Sequence, residues 1–254
     1  MAKLTKEQSK KHTQVMELVN SDRALTYDEK VFILENYHES QGQLNSLAGA
    51  FFTPPGLAQD FSIEVPDNCS VIDLCAGIGA LSFPLIHHYN TKREITCVER
   101  CVEYVQVGRR ILPEATWIND DVFDHDYFNF DFLSRNSPFD VAISNPPFGR
   151  IKEDTYKGAY TGGEFEYKVI ELASRIAKYG VFILPQQSAP FAYSGVRQYE
   201  RRVSGKCAKF IEQTGIFLNP GCGVDTAIYL EDWKGVKPLC EIVLSDFVDQ
   251  EDYT

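Results

Sequence analysis

The chain has 254 residues, 44% hydrophobic and 24% charged, the balance of one large globular α/β domain rather than a low-complexity or disordered chain. No apolar run approaches the roughly 18 residues of a membrane span, so no membrane partner is expected. The net charge of −11 argues against non-specific nucleic-acid binding by the whole surface. Charge is unevenly spread, however. Residues 146–212 hold eleven Lys/Arg against seven Asp/Glu, leaving −15 on the remainder, so a local basic face is compatible with an acidic chain.

The N-terminal 20 residues are polar and lysine-rich, without the apolar core and small-residue cleavage site of a secretory signal. Seven cysteines at 69, 75, 97, 101, 207, 222 and 240 are odd in number and form no C-x-x-C pair. They read as free thiols of a cytoplasmic protein, with no metal site expected.

In chain order, residues 1–48 read as a polar, helical N-terminal extension. Val31, Leu34 and Tyr37 recur near helical spacing, and Phe32 and Ile33 widen that face. "GAFFTPPGLAQDF" follows. Pro54 and Pro55 force an extended stretch, and a helix is expected to begin near Pro55. The rhythm then becomes strand and helix in alternation. "SVIDL" (70–74) meets the glycine loop "CAGIG", and "ALSFPLIHHY" is a helix interrupted or kinked at Pro84. "EITCVE" (94–99) is a second strand, "CVEYVQVGRRIL" a helix, "TWIND" (116–120) a third strand and "FDVAIS" (139–144) a fourth. "GEFEYKVIELASRIAKYG" reads as a helix with Phe165, Val169, Leu172 and Ile176 on its apolar face and a stop at Gly180. "VFILP" (181–185) is a fifth strand, "GIFLN" and "TAIYLEDW" are a final pair, and residues 246–254 are an acidic tail. Strands alternating with helices predict a doubly wound, mostly parallel sheet over residues 49–245.

In such sheets ligands bind at the carboxyl ends of the strands, and polar or glycine residues fall at four of them in succession. Gly77 and Gly79 follow the first strand, where glycine lets the backbone approach a ligand. Residue 82 is serine, so the dinucleotide pattern G-x-G-x-x-G is not met. Glu99 ends the second strand, where a carboxylate accepts the two hydroxyls of a ribose. Asp120 and Asp121 follow the third, and either side chain suits an adenine amino group. Val122 and the aliphatic stem of Arg100 suit the faces of an adenine ring. No phosphate loop G-x-x-x-x-G-K-[ST] is present. S-adenosyl-L-methionine fits such a pocket.

"NPPF" (145–148) ends the fourth strand. The Asn145 amide oxygen and the Pro146 carbonyl can each accept one N–H of a planar amino group. They would thereby stabilise the charge that develops on its nitrogen during methylation. Pro146 and Pro147 stiffen the backbone, and Phe148 offers a face for stacking a base.

These residues resemble class I S-adenosylmethionine-dependent amino-methyltransferases, with a Rossmann-like fold, and specifically N6-adenine DNA methyltransferases of the gamma arrangement. "DLCAGIG" (73–79, including Asp73 and Cys75) is similar to their cofactor motif, Glu99 to their ribose acid, Asp121 to their adenine-contacting acid, and "NPPF" to their catalytic motif. "GAFFTPP" resembles the segment that precedes the glycine loop in the gamma order. The resemblance implies that Phe51, Phe52, Thr53 and Pro54 line the methionine end. Arg100 stands where the family has an apolar neighbour of the ribose acid. DNA is the implied substrate, with RNA or a protein glutamine as alternatives. Little chain is left for a recognition domain, which points to a separate specificity or restriction subunit as partner and, as an alternative function, to a cofactor-binding modification subunit active only in a complex. Substitutes within the chain are residues 1–48 and 186–224. The candidate substrate contacts are Phe148, Arg150, Lys152, Arg197, Arg201 and Arg202, with Lys157, Lys206 and Lys209 nearby and Phe217 as a second aromatic for a flipped base.

Overall fold

The computed structural model describes residues 5–38, 51–88, 92–123, 139–151 and 155–248. Two helices open the chain, α1 (Lys6–Val19) and α2 (Tyr27–Asn36). Each starts on a capping box. Thr5 and Thr26 accept N–H groups of the first turn, while Gln8 and Glu29 accept the cap N–H in return. Each cap contributes about 1 kcal/mol. Val15, Ile33, Leu34 and Tyr37 are buried in the same core as the central strands, so the extension packs on the sheet layer. Arg110 donates to the carbonyls of Val19 and Arg23, and Lys234 to those of Leu34 and Tyr37. The proposed boundary near residue 48, with Gly49, lies outside the described residues.

The helix α3 (Pro55–Phe61) starts at Pro55, as the sequence predicts. The strands β1 (Ser70–Leu74), β2 (Glu94–Glu99), β3 (Thr116–Asn119), β4 (Phe139–Ser144) and β5 (Ala177–Pro185) are parallel. Between them lie α4 (Ser82–His87), α5 (Val102–Ile111) and α6 (Phe165–Ile176). The remaining elements are a small hairpin of β6 (Phe191–Ala192) and β7 (Glu200–Arg201), the helix α7 (Gly205–Thr214), and the strands β8 (Asn219–Pro220) and β9 (Cys240–Asp246). The sheet order is β3-β2-β1-β4-β5-β9-β8, with β9 antiparallel to both neighbours. This is the doubly wound, mostly parallel fold that the sequence predicts. Core clusters lie on both faces, one built on Val71, Ile143 and Leu85, the other on Ile72, Ala142 and Ile170.

Four local expectations change. Pro84 does not kink a helix, because α4 begins at Ser82 and places the proline in the first turn, where no intrahelical N–H is needed. Gly180 is not a helix stop but the fourth residue of β5. A side chain there would collide with the rings of Phe182 and Phe247. "TAIYLEDW" is no strand; residues Thr226–Tyr229 form a 3-10 turn capped by Asp225. The last strand is instead β9, which extends to Asp246 and so takes in the start of the expected acidic tail. Residues 249–254 of that tail lie outside the described residues. Among the described residues no helix is long and apolar enough to cross a membrane.

Candidate cofactor and active site

Strand order reverses between β1 and β4, and a crevice opens there at the carboxyl ends of the strands. A cleft at this point is lined by residues from all four strand ends, together with Phe51 and Phe52. Of the expected residues, it brings together Phe51, Phe52, Cys75, Gly77, Glu99, Arg100, Asp120, Asp121, Val122, Asn145 and Pro147.

The loop after β1 is left-handed at Cys75 (φ 61°) and Gly77 (φ 57°). At Gly77 a Cβ would press on the Phe52 ring at 3.3 Å, so conformation and space both favour glycine. Its N–H donates to Glu99 Oε2 at 2.9 Å, and Cys101 N–H donates to Glu99 Oε1 at 2.7 Å. Two backbone donors thus fix the carboxylate plane against the glycine loop. Burial raises the Glu99 pKa, against the opposing effect of these N–H groups.

Asp121 Oδ1 accepts from Phe123 N–H at 3.0 Å, and its Oδ2 faces Arg100 Nη1 at 3.3 Å. Asp120 Oδ1 accepts from the Asp121 N–H at 2.8 Å. Both acids line the cleft, so the structure leaves two adenine-facing candidates where the sequence had two.

The amide of Asn145 has one orientation. Its Nδ2 donates to the Phe51 carbonyl at 3.1 Å and to Thr53 Oγ1 at 2.9 Å. Its Oδ1 is buried and has no hydrogen-bond partner among the described residues. A buried acceptor left open is costly unless a ligand donor fills it. "FFTPP" and "NPPF" are therefore parts of one device, 92 residues apart in sequence.

Several expected contacts are placed elsewhere. Asp73 lies beneath the loop, 1% exposed, and accepts from Ser82 Oγ at 2.7 Å; burial raises its pKa to about 7. Gly79 (φ 90°) abuts Leu112 and Trp117 behind the cleft. Thr53 is buried and orients Asn145 rather than lining the cleft, and the Pro54 carbonyl opens α3 by accepting from Ala58 N–H. Pro146 is buried, and Phe148 packs against the core; neither lines the cleft. Phe217 is far from Asn145. Its carbonyl accepts from Ser245 Oγ, and Ser245 pairs with Gly180 in the amino-terminal half of β5, whereas the cleft is at the carboxyl ends. Arg150, Arg197, Arg201 and Arg202 are exposed, with Arg202 paired to Glu200. Lys152 lies outside the described residues.

Four lining residues had no assigned role: Cys101, Tyr104, Ile151 and Phe165. Tyr104 lines the cleft from the first turn of α5, beside Phe52 (ring centroids 5.0 Å apart), and Tyr37 of the extension closes on both rings. Phe165 is the first residue of α6 and was legible only as a core position.

Residues 57–160 match the family model of the methyltransferase small domain. No curated protein matches the chain in sequence. Among solved structures, a Listeria monocytogenes protein described as a class I S-adenosylmethionine-dependent methyltransferase is similar, with a TM-score of 0.55 and 16% identity, over 92% of this chain and 69% of that one. The methyltransferase subunit of a type I restriction-modification system from Streptococcus thermophilus gives 0.53 and 12%, over 88% of this chain and 50% of that one. A protein described as an RNA methyltransferase from Pyrococcus horikoshii gives 0.47 and 17%, over 87% and 97%. The fold is that of the Rossmann-like class I methyltransferases, and domain and fold together imply S-adenosylmethionine as cofactor.

Thr53→Val keeps the shape and removes the hydroxyl that takes one Asn145 N–H. It is expected to lower kcat about tenfold, the worth of one buried hydrogen bond, with little change in cofactor affinity. A kcat within twofold of the wild type would contradict this role. For Asp73, a folded-state pKa above the ordinary carboxylate value means that the native protein keeps a proton which the unfolded chain releases. Its contribution to stability therefore falls as pH rises toward about 7. In urea melts Asp73→Asn should gain on the wild type at pH 8 and lose most of that gain at pH 5. An equal difference at both pH values would refute the buried-proton account.

Proposed function

We propose that the chain transfers the methyl group of S-adenosylmethionine to the N6 amino group of adenine in DNA. The observation that carries the reading is the Asn145 amide, whose N–H groups are both taken by Phe51 and Thr53 while its buried oxygen is left open. An acceptor held in this way suits a planar amine whose lone pair must leave conjugation. One N–H goes to Asn145 Oδ1, and the Pro146 carbonyl is proposed to take the other. The positive charge that develops on nitrogen then meets acceptors fixed in advance. S-adenosylmethionine supplies an electrophilic methyl group on its sulfonium. Glu99 is proposed to hold the ribose, Asp121 or Asp120 the adenine amine, and Val122 with the Arg100 stem the ring faces. Cys75 and Gly77 form the loop on which the cofactor rests.

A base within a duplex must leave the stack to reach this cleft. The aromatic contacts proposed for it are Phe165, which lines the cleft, and Phe148, which would have to turn from its core packing to reach the base. Arg150, Arg197, Arg201 and Arg202 are proposed as phosphate contacts, exposed as such contacts must be. The resemblance of "FFTPP", ahead of the glycine loop, to the DNA methyltransferases of the gamma arrangement supports DNA over RNA. A separate recognition subunit remains part of the proposal, by analogy with the similar subunit of a multi-subunit restriction-modification system. Incubation with labelled cofactor and unmethylated DNA or RNA tests the reading. Incorporation into DNA is expected. Incorporation into RNA alone would transfer the activity to RNA.

A further inference from the structure

The loop that carries Asn145 is held from the far side by a buried acid to which the sequence assigned no role. Glu166, on the first turn of α6, is 1% exposed. Its Oε2 accepts the Gly149 N–H at 2.9 Å, and its Oε1 accepts the Ser188 hydroxyl at 2.8 Å. The Gly149 carbonyl in turn accepts from Phe165 N–H at 2.9 Å. Both backbone polar groups of Gly149 are thus spent on the start of α6, directly after "NPPF". Gly149 is left-handed, with φ 88°, so the turn needs external support to keep one conformation. Ser188 stands in the turn after β5, and Tyr167 OH donates to its carbonyl at 2.7 Å. Beyond that turn begins the hairpin bearing Arg197, Arg201 and Arg202, whose Arg202 N–H returns to the Pro190 carbonyl at 2.8 Å.

We infer that Glu166 is a positioning residue, which fixes the 145–149 turn and ties it to the root of the basic hairpin. Burial raises the Glu166 pKa, while the Gly149 N–H and the Ser188 hydroxyl both oppose that rise. A lone structural acid would have no reason to divide its two oxygens between the catalytic turn and the segment that precedes the arginines. The inference rests on the methyltransferase reading only for its kinetic arm.

The test compares Glu166→Ala and Glu166→Gln. Glutamine can still accept the Gly149 N–H with Oε1 and can donate to Ser188 Oγ with its amide nitrogen. In Glu166→Ala, kcat is expected to fall about 10- to 100-fold through misplacement of the Asn145 amide, with cofactor Kd within about threefold of wild type. Glu166→Gln should recover to within about threefold of wild-type kcat. Hydrogen exchange at the Gly149 amide needs no substrate. It should be at least about tenfold faster in Glu166→Ala and near wild type in Glu166→Gln. Unchanged exchange in Glu166→Ala, or faster exchange with undiminished kcat, overturns the inference. So does a glutamine variant as impaired as alanine in both readouts. If the wild type methylates neither DNA nor RNA while exchange behaves as stated, the substrate reading fails and the bracing role of Glu166 stands.

Discussion

Replacing Asn145 by alanine is expected to leave a protein that binds cofactor and does not turn over. The Glu99 carboxylate is fixed by Gly77 and Cys101, not by Asn145, so the ribose side of the cleft survives the change. What goes is the buried Oδ1, the acceptor for the amine that is to be methylated. Removing one preorganised group of this kind costs about 10²–10³ in kcat, or roughly 3–4 kcal/mol. The Phe51 carbonyl and Thr53 hydroxyl also lose their donor, which loosens the "FFTPP" segment and adds to the loss. Cofactor titration by calorimetry alongside single-turnover rates separates the two effects. A Kd within about threefold and a rate at least about 100-fold lower are expected. A rate near wild type would place the amine elsewhere in the cleft.

Glu99→Ala should show the opposite pattern, with cofactor affinity lost first. The carboxylate is proposed to accept two ribose hydroxyls, and charged hydrogen bonds contribute about 1.5–3 kcal/mol each, so Kd should rise at least about 100-fold. The change also leaves the N–H groups of Gly77 and Cys101 without acceptors, which unsettles the glycine loop itself. The sign of the pH effect follows from the raised pKa. Ionised Glu99 has acceptors enough for two N–H groups and two hydroxyls, whereas the protonated form gives one up to its own proton. Cofactor affinity is therefore expected to weaken as pH falls through the Glu99 pKa, and Glu99→Gln should bind weakly at every pH. Equal pH dependence in the wild type and the glutamine variant would assign the titration to another group.

The parts of the site legible in the sequence are those set by position along a strand. Gly77, Glu99, Asp120, Asp121 and Asn145 follow successive strands, and parallel pairing from β3 to β4 brings them to one edge. Contacts that depend on which side of an element turns inward were not legible. Tyr104 and Phe165 sit on helices whose apolar faces serve both core and cleft, so helical spacing cannot say which residue borders the cavity. Phe217 shows the reverse. Its aromatic type suited a base, but the short β8 pairs with β9 and carries it toward the other end of the sheet. Thr53 was placed in the right region with a different role, because a hydrogen bond across 92 residues leaves no local pattern. The final strand was misread for a similar reason. "CEIVLSD" was assigned no element, only its last residue falling in the expected tail, yet its pairing with β5 from Pro185 to Tyr179 makes it the last full strand.

An amide held by Phe51 and Thr53 is proposed to direct methylation to the amino group of adenine in DNA. Modification-sensitive sequencing of DNA from cells that express the wild type or Asn145→Ala tests this most directly. N6-methylated adenine in a recurring sequence context with the wild type, and none with the variant, is the predicted result. DNA without methylated adenine, or the same marks with Asn145→Ala, would contradict it.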